Sequence, residues 1–353
     1  MYKYKHFIHE NIAPADAEKI IVCDGKGNAI CDVPLGRLKQ PAQAKRYSFM
    51  AVSDVHITYD TANTDFQRAL TYAEDNCDFT VVCGDLTSVG SDEQMAEYKS
   101  IVDAYAKTKP VYAISGNHET CTGEYMTSER TSVYTGQNLY YSFTQGDDVF
   151  IMLGHYGADH SAGNGDWRTN EFLSREELNG LYQTLEDNRN KRCFVFSHVL
   201  PHEHGVGNPN GLYKSALIWK TTDGGIGQAL ISLLRHYKNT IFFHGHSHTR
   251  FWLQEHDEKA NYSDANGYRS VHVPSLSVPR DISVDGMKLD TIYAESEGYV
   301  VDVYDGYIIL NGRDFIDNKA DGHILPIATY KIDTPLQTVA AGTFTDATGT
   351  IKT

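Results

Sequence analysis

Five short polar motifs carry side chains that could bind metal ions and hydrolyse an ester. They are Asp54-Val55-His56, Gly84-Asp85, Gly116-Asn117-His118-Glu119, Ser197-His198 and Gly245-His246-Ser247-His248. Carboxylate, imidazole and carboxamide groups are ligands of borderline divalent metals. The candidate ligands are Asp54, His56, Asp85, Asn117, His198, His246 and His248. This set is too large for one tetrahedral ion and suits two ions that share a carboxylate.

The spacing within the motifs supports one shared centre. Asp54 and His56 are two residues apart, as are His246 and His248, so in an extended chain each pair points to one side. Asp85 stands alone, and its two carboxylate oxygens could bridge two ions. Two metals about 3.5–4 Å apart form the arrangement that hydrolyses phosphate esters. The expected chemistry is attack by a metal-bridged hydroxide on a phosphate ester.

The leaving group of such a reaction needs a proton, and His118 is the candidate donor. His118 follows the candidate ligand Asn117 and would lie at the cluster without joining it. Glu119 is either a partner that orients the His118 ring and raises its pKa or simply a loop carboxylate. Any one of these motifs alone is more often structural. The metal prediction therefore depends on five matches in one chain, each after a strand.

Short apolar runs precede all five motifs and are typical of buried strands. These runs are 47–52, 79–83, 111–114, 193–196 and 240–243. Helices are predicted at 64–76, after Ser91 with Gln94 as its capping-box partner, after Ser174 with Glu177, and at 226–237. This alternation predicts parallel βαβ units, whose ligands bind beyond the carboxyl ends of the strands. Residues 139–143 and 149–153 flank turn residues and predict a hairpin.

The composition limits the class of protein. The chain has 353 residues, 41% of them hydrophobic, and a formal net charge of −15. This charge and the lack of a basic patch argue against binding to long nucleic acids. A small phosphorylated substrate remains compatible, because bound metal would supply positive charge. No run is suited to spanning a membrane and no signal peptide is visible, so a cytoplasmic location without membrane attachment is expected, with export through a removed signal left open.

The motif set resembles that of the calcineurin-like metallophosphoesterase superfamily, whose pattern is D-x-H, G-D-x-x-D, G-N-H-[D/E], a lone H and G-H-x-H. The resemblance covers about residues 47–314 and implies a four-layer α/β/β/α sandwich of two mixed β-sheets flanked by helices. It also implies two metal ions, with manganese, iron or zinc as candidates. By this resemblance, one metal would be held by Asp54, His56, Asp85 and His248, and the other by Asp85, Asn117, His198 and His246.

Three regions are expected along the chain. Residues 1–45 form an N-terminal extension with a β-hairpin around Gly25-Lys26-Gly27-Asn28, whose residues favour a turn. Residues 46–333 form the metallophosphoesterase domain. Residues 334–353 form a C-terminal tail rich in Thr, Ala and Gly, which is either loosely held or a linker to a further segment.

The chain departs from the family pattern at two places. Ser88 stands where the family usually has a second Asp, three residues after the bridging one. Metal binding should survive this change with altered affinity, because that Asp acts on the ligands rather than on the metal. Gly154-His155 stands where an Asp-containing stretch is common. His155 is either an extra polar contact in the site or a structural residue.

Substrate specificity is expected to come from the loops. The predicted substrate-binding residues are His155, Tyr156, Arg168, His202 and Tyr213, with Tyr125, Arg130, His204, Asn208 and Asn210 as further loop candidates. His202 and His204 lie close to His198 in the chain, but the motif spacing favours His198 as the ligand.

The predicted function is dinuclear metal-dependent hydrolysis of a phosphomonoester or a small phosphodiester, with nucleotide-type substrates among the candidates. The motifs do not separate the two ester classes, and the oligomeric state is not predicted. One alternative is a catalytically silent binding scaffold of the same fold. Such scaffolds tend to lack some ligands or the acid, whereas this chain keeps all of them. A nuclease acting on long polynucleotides is disfavoured by the acidic charge.

Overall fold

The chain divides into two compact units, Met1–Ala44 and Lys45–Thr353. The computed structural model describes residues 19–23, 29–34, 44–121, 126–157, 173–199, 226–251, 261–265, 267–282, 289–291, 295–316, 323–334, 344–346 and 349–351. In the first unit, β1 (Lys19–Cys23) pairs antiparallel with β2 (Ala29–Pro34), as the turn residues between them predict.

The second unit contains two six-stranded mixed sheets. The first comprises β3 (Tyr47–Val52), β4 (Phe79–Cys83), β5 (Val111–Ile114), β14 (Glu297–Val303), β15 (Tyr307–Asp314) and β16 (His323–Asp333). Its strand order is β16-β15-β14-β3-β4-β5. The strands β3, β4 and β5 are parallel to one another, whereas β14, β15 and β16 pair antiparallel. The three parallel strands are those that lead into the first three motifs.

The second sheet comprises β6 (Tyr140–Gln145), β7 (Asp148–Leu153), β8 (Cys193–Ser197), β9 (Thr240–His244), β10 (Tyr262–Ser263) and β11 (Arg269–His272). Its order is β10-β11-β9-β8-β7-β6, with β7, β8, β9 and β11 parallel. β6 and β7 form the predicted antiparallel hairpin. Two further antiparallel pairs are β12 (Arg280–Ile282) with β13 (Leu289–Thr291), and β17 (Phe344–Asp346) with β18 (Gly349–Ile351).

Five α-helices are present in the described part of the second unit: α1 (Ala62–Asn76), α2 (Asp92–Tyr105), α3 (Ser128–Thr135), α4 (Arg175–Asp187) and α5 (Ile226–His236). The predicted Ser174–Glu177 capping box begins α4. The box predicted for α2 is only half correct, because the Gln94 side chain bonds to Thr58 and Val89 instead of returning to Ser91. None of the helices described is both long and apolar enough to cross a membrane.

The helix α3 is not among the helices predicted from the sequence. Its helical propensity is weak and its apolar pattern poor, but two local devices stabilise its ends. The Thr127 side chain accepts a hydrogen bond from the Arg130 N–H, and Gly136 ends the helix in the left-handed conformation.

The two sheets face each other across an aromatic core. Phe49 of the first sheet stacks on Phe79 and meets Phe150 and Phe194 of the second sheet edge-on. The outer face of the first sheet packs with residues of α1 and α2, and the outer face of the second with residues of α4 and α5. This helix–sheet–sheet–helix arrangement confirms the four-layer α/β/β/α prediction. The strands β3, β4, β8 and β9 are mostly apolar along their length because both of their faces are buried.

A buried ion pair joins the sheets at the amino ends of the strands. Arg192 donates to both carboxylate oxygens of Asp148, at 3.0 and 2.6 Å, and Tyr47 of the first sheet donates to the same carboxylate at 2.6 Å. Arg192 also donates to the carbonyl of Tyr304, between β14 and β15. Because this pair is fully hydrogen-bonded, it fixes how the sheets pack, with the motifs at the opposite strand ends.

The buried Glu177 carboxyl is expected to make the stability of the protein depend on pH. Burial raises its pKa to about 7, whereas an unfolded chain has a Glu pKa of about 4.3. Since the folded value is the higher one, its stabilising effect is full below about pH 4.3 and is lost as pH rises through about 7. At pH values above 7, the loss in the free energy of unfolding should be up to about 3 kcal/mol smaller in Glu177→Gln. The reason is that glutamine keeps an acceptor for the Ser174 N–H without a charge.

Urea unfolding at pH 5 and pH 8 measures this effect. The matched control is Glu176→Gln, which alters an exposed carboxylate in the same helical turn. Equal pH dependence in Glu177→Gln and the unmodified protein would show that the buried carboxyl is not responsible.

Candidate metal centre

All five motifs meet at the carboxyl edge of the two sheets. Neighbouring strand ends are tied by backbone bonds, from the Asp54 N–H to the Gly84 carbonyl at 3.0 Å and from the Gly245 N–H to the His198 carbonyl at 2.9 Å. The ligand-type side chains therefore come from both sheets and converge in the cleft between their edges.

One cluster joins the first, second and fifth motifs. The ligand atoms of Asp54, His56, Asp85 and His248 lie within 4.8 Å of one another, and all four residues are buried. His248 Nε2 lies 3.1 Å from Asp54 Oδ1 and 3.1 Å from His56 Nε2. His56 Nε2 lies 3.6 Å from Asp85 Oδ2. This is the set that the family resemblance implies for one metal.

A second cluster shares Asp85 with the first. It brings Asp85 together with His198 and His246, and His198 Nε2 lies 3.1 Å from Asp85 Oδ2. The buried Asn117 Oδ1 has no hydrogen-bond partner among the described residues. Asp85 differs from the prediction in one respect: Oδ1 accepts the His118 N–H at 2.9 Å, so only Oδ2 faces both clusters. Any bridging would therefore use one oxygen rather than two.

Hydrogen bonds orient the histidine rings toward the clusters. His198 Nδ1 lies 2.8 Å from the Cys83 carbonyl, and His248 Nδ1 lies 3.0 Å from the Val278 carbonyl. A carbonyl only accepts, so Nδ1 carries a proton in both rings and Nε2 is the nitrogen that faces the cluster.

The donor atoms of the clusters fit a cation. Within the described part of the chain, Asp54 Oδ1, Asp85 Oδ2 and His198 Nε2 are buried and lack a hydrogen-bond partner, although they approach one another. Buried polar atoms normally have such partners. Converging lone pairs of carboxylate and imidazole are the expected surroundings of a divalent metal.

The charges of the two clusters favour metal binding. Burial opposes ionisation of Asp54 and Asp85, but nearby histidines outweigh it and hold both pKa values well below the usual range. Burial lowers the pKa of His246 to about 3 and that of His56 well below normal. Burial lowers the pKa of His198, but the negative charges of Asp85 and Asp54 together outweigh burial and raise this pKa to about 9. Four of these groups are thus already in the metal-binding form at neutral pH.

Five candidate ligands occupy the left-handed region of backbone conformation. The φ angles are 53° for Asp54, 51° for His56, 51° for Asp85, 72° for His246 and 58° for His248. The extended geometry assumed for the two-residue spacing is therefore wrong, although the side chains do converge. Such conformations cost about 1–3 kcal/mol each and are concentrated at functional sites.

Two glycines are required by close contacts at the cluster. Gly84 has a φ of 91°, and a Cβ there would lie 2.4 Å from His198 Nδ1. Gly116 has no positive φ, so its backbone conformation does not require glycine. A Cβ at Gly116 would lie 2.2 Å from Asp85 Oδ1. In both places a side chain would displace a candidate ligand.

His118 lies at the rim and belongs to neither cluster. Its side chain is 35% exposed, against 0–6% for the side chains of Asp54, His56, Asp85, His198 and His248. His118 Nδ1 donates to the Ser88 carbonyl at 2.6 Å, and Nε2 lies 3.9 Å from Asp85 Oδ2. Burial lowers its pKa, but Asp85, the Ser88 carbonyl and Glu119 give a net increase. The ring is thus held by a backbone group of the residue that replaces the family's second Asp.

Glu119 holds the loop and does not orient the His118 ring. One carboxylate oxygen accepts the backbone N–H and hydroxyl of Thr87, at 2.8 and 2.9 Å. The other accepts the Gly116 N–H at 2.7 Å. Of the two roles considered for Glu119, the loop carboxylate is the one that the contacts support, with a charge that raises the His118 pKa.

Replacing Glu119 with glutamine should destabilise the protein by about 1–3 kcal/mol, the usual effect of a buried group losing its hydrogen-bond partner. The two carboxylate oxygens serve three donors, whereas an amide has one acceptor, so the Gly116 N–H or the Thr87 donors would face an NH₂ group. Urea unfolding of metal-free protein at pH 8 measures the change. Glu129→Gln, on an exposed position of α3, is the control. Unchanged unfolding in Glu119→Gln would contradict the assigned loop role.

The predicted substrate-binding residues are only partly visible. His155 is buried beside the third motif, where its N–H donates to the Ser115 carbonyl at 3.0 Å. Tyr156 is partly exposed next to it. Arg130 donates to the carbonyls of Gly90 and Glu119, which gives it a structural role between two loops. The remaining candidates lie outside the described residues: Tyr125, Arg168, His202, His204, Asn208, Asn210 and Tyr213.

The segment of residues 274–280 also contacts the clusters, although no sequence motif marks it. Ser275 donates to the Asp54 carbonyl at 3.0 Å, and Arg280 donates its backbone N–H to the His248 carbonyl at 2.7 Å. The available signal was its position, since it directly follows β11, which is parallel to β9. It carries no Asp or His that would have marked it as a ligand segment.

Comparison with known proteins places these features in a family. The family model of the calcineurin-like phosphoesterases matches residues 47–250, which is more than half of the chain. No curated protein matches. The matched residues 47–250 include all five motifs.

Several solved structures are similar to this chain at low sequence identity. A predicted phosphoesterase from Streptococcus pneumoniae TIGR4 is 13% identical, with 83% of this chain and 99% of that chain covered and a TM-score of 0.40. GAP50, described as the anchor in the inner membrane complex of Plasmodium, is 12% identical, with 82% and 90% covered and a TM-score of 0.50. Vacuolar Protein Sorting 29 from Cryptosporidium parvum is 11% identical, with 82% and 100% covered and a TM-score of 0.37.

The family is generally one of phosphoesterases that bind two divalent metals, and the ligand-type side chains of its pattern are clustered in this chain. On the family match, the chain belongs to the calcineurin-like phosphoesterase family.

Proposed function

We propose that the protein is a dinuclear metal-dependent phosphoesterase acting on a small phosphorylated substrate. The observation that carries this proposal is the pair of ligand clusters that share Asp85 Oδ2, with His118 at their rim. One ion would be held by Asp54, His56, Asp85 and His248, and the other by Asp85, Asn117, His198 and His246. When bound, the two ions would supply an activated water and positive charge for the phosphoryl oxygens.

His118 has the contacts expected of a general acid. Its Nδ1 is committed to the Ser88 carbonyl, so Nε2 is the nitrogen that can give a proton to the leaving oxygen. Its partial exposure leaves room for that oxygen, whereas the buried ligand side chains have none. The increased pKa favours the protonated form of the ring, which a general acid requires.

The protein's charge supports a small substrate rather than a polymer. A net charge of −15 would repel an extended polyanion, while the clusters would provide local positive charge once metal is bound. The mixed imidazole and carboxylate donors suit manganese, iron or zinc. Small phosphomonoesters and phosphodiesters, including nucleotide-type ones, are the proposed substrates.

A catalytically silent scaffold is the competing function, because a shared fold does not establish chemistry. The presence of every ligand-type residue and of His118 favours the enzyme. A scaffold has no need to maintain five strained left-handed ligand positions, whose cost is repaid only if the clusters bind something.

Metal-reloaded protein provides the test. Chelator-treated protein would be reloaded with Mn²⁺, Zn²⁺ or Fe²⁺ and assayed on 4-nitrophenyl phosphate and bis(4-nitrophenyl) phosphate. We expect hydrolysis of at least one ester that requires metal. Protein that binds two ions per chain and turns over neither ester would support the scaffold instead.

A further inference from the structure

Arg280 lies beside a candidate ligand of the metal centre. Its backbone N–H donates to the His248 carbonyl at 2.7 Å, and its carbonyl accepts the Arg250 N–H at 3.1 Å. Two residues earlier, the Val278 carbonyl accepts from the His248 ring. The start of β12 is therefore fixed against His248, and its partly exposed side chain begins at the edge of the centre.

The Arg280 guanidinium differs from the other arginines. Among the described residues, it has no hydrogen bond, ion pair or ring contact, whereas every other described arginine has an interaction with another group. The nearby Arg250, for example, pairs with Glu295. The chain has 46 acidic and 31 basic residues, yet no acidic side chain among the described residues pairs with Arg280.

Other basic side chains near the ligand strands are wrongly placed to serve the centre. Lys109 precedes β5 and Lys191 precedes β8, so both lie near the amino ends of these strands. The candidate ligands follow the carboxyl ends. Arg280 is thus the described basic residue whose backbone directly contacts a candidate ligand. Its side chain pairs with no carboxylate among the described residues.

We propose that Arg280 binds a phosphoryl oxygen of the substrate and makes the centre selective for phosphomonoesters. This inference rests on the proposed function. A monoester has three non-bridging oxygens and a diester has two. With metal bound, the two ligand clusters would bind two of these oxygens. The third oxygen of a monoester would then be left for a cation. Arginine suits this role because its planar fork matches phosphate geometry and keeps its charge at all relevant pH values.

The test compares Arg280→Ala, Arg280→Lys and the unmodified protein, each loaded with Mn²⁺. We expect Arg280→Ala to raise KM for 4-nitrophenyl phosphate about 10- to 100-fold, the range for losing a hydrogen bond to a charged group. The kcat/KM for bis(4-nitrophenyl) phosphate should stay nearly unchanged. Arg280→Lys should recover part of the loss, since lysine keeps the charge without the fork.

Binding of inorganic phosphate, measured by calorimetry, is the readout independent of turnover. It should weaken about 10- to 100-fold in Arg280→Ala with metal content unchanged. Arg269→Ala is the matched control, because Arg269 starts β11 at the amino end and donates to the Lys238 carbonyl. It should alter neither phosphate binding nor the ratio of the two ester activities.

The outcomes separate the two proposals. Equal losses for both esters, or unchanged phosphate binding in Arg280→Ala, would overturn the role of Arg280 while leaving a phosphoesterase intact. Absence of turnover in the unmodified two-metal protein would overturn the proposed function, and phosphate binding would still test Arg280. If Arg280→Ala is unstable, a stable Arg280→Lys variant with full phosphate affinity would contradict the role proposed for the guanidinium.

Discussion

Asp85→Asn is expected to remove activity almost completely and to lower metal binding at both positions. Asp85 Oδ2 is the oxygen that faces both clusters, at 3.6 Å from His56 Nε2 and 3.1 Å from His198 Nε2. Loss of an outer partner of a metal ligand already costs about 10- to 100-fold in affinity or activity. Loss of a shared ligand should therefore cost more than about 100-fold, because two ions lose a charged donor.

Asparagine is chosen because it separates ligation from folding. Its carbonyl oxygen can still accept the His118 N–H, so the third motif keeps its anchor. Metal analysis and the thermal shift on adding Mn²⁺ measure the effect, since an ion that binds only the folded state stabilises it. Asp103→Asn, an exposed change on α2, is the control. Two tightly bound ions per chain in Asp85→Asn would refute the shared-ligand assignment.

The layered fold could be predicted from local patterns because both faces of the strands β3, β4, β8 and β9 are buried. The run 79–83 is wholly buried and mostly apolar and ends at Gly84-Asp85, so both the strand and the position of Asp85 follow from the sequence. The hairpin of β6 and β7 was equally clear from its turn residues. In contrast, α3 depends on end caps more than on an apolar stripe, so no apolar periodicity marks it in the sequence.

The membership of the clusters could be predicted, but their geometry could not. The same two-residue spacing is compatible with extended and left-handed backbone. It therefore could not show that Asp54 and His56 are left-handed. It also could not assign Asp85 Oδ1 to a backbone amide, because that bond forms between strands that are far apart in sequence. Such contacts depend on how the strand ends meet, which is a property of the assembled sheets.

The replacement of the second Asp shows the same limit. From the sequence, Ser88 is only a missing carboxylate. In the structure, its backbone carbonyl holds the His118 ring, and its hydroxyl donates to the His56 carbonyl at 3.0 Å. A backbone group is present whatever the side chain, so no residue type at this position could have revealed the interaction.

His118→Asn should keep the metals and lose rate in proportion to how much the leaving group needs a proton. Asparagine can still donate to the Ser88 carbonyl, but it has no proton to give to the substrate. General acid catalysis contributes about 10²- to 10⁴-fold, so we expect a loss of that order for alkyl phosphates. The loss should be much smaller for 4-nitrophenyl phosphate, because nitrophenolate is stable without protonation. A series of phenyl and alkyl phosphates measures the dependence of kcat/KM on the leaving-group pKa.

The slope of that series distinguishes an acid from a ligand. If His118 donates the proton, the unmodified protein should show a shallow dependence on leaving-group pKa and the variant a steep one, with metal content equal in both. If His118 instead supports the clusters, all substrates should slow equally and metal should be lost, as expected for Asp85→Asn. His236→Asn, at the end of α5 near the amino end of β9, should leave the slope unchanged. Asn117 and His118 are neighbours in the chain, so different failures in variants of each would show that one loop serves the metal and the leaving group separately.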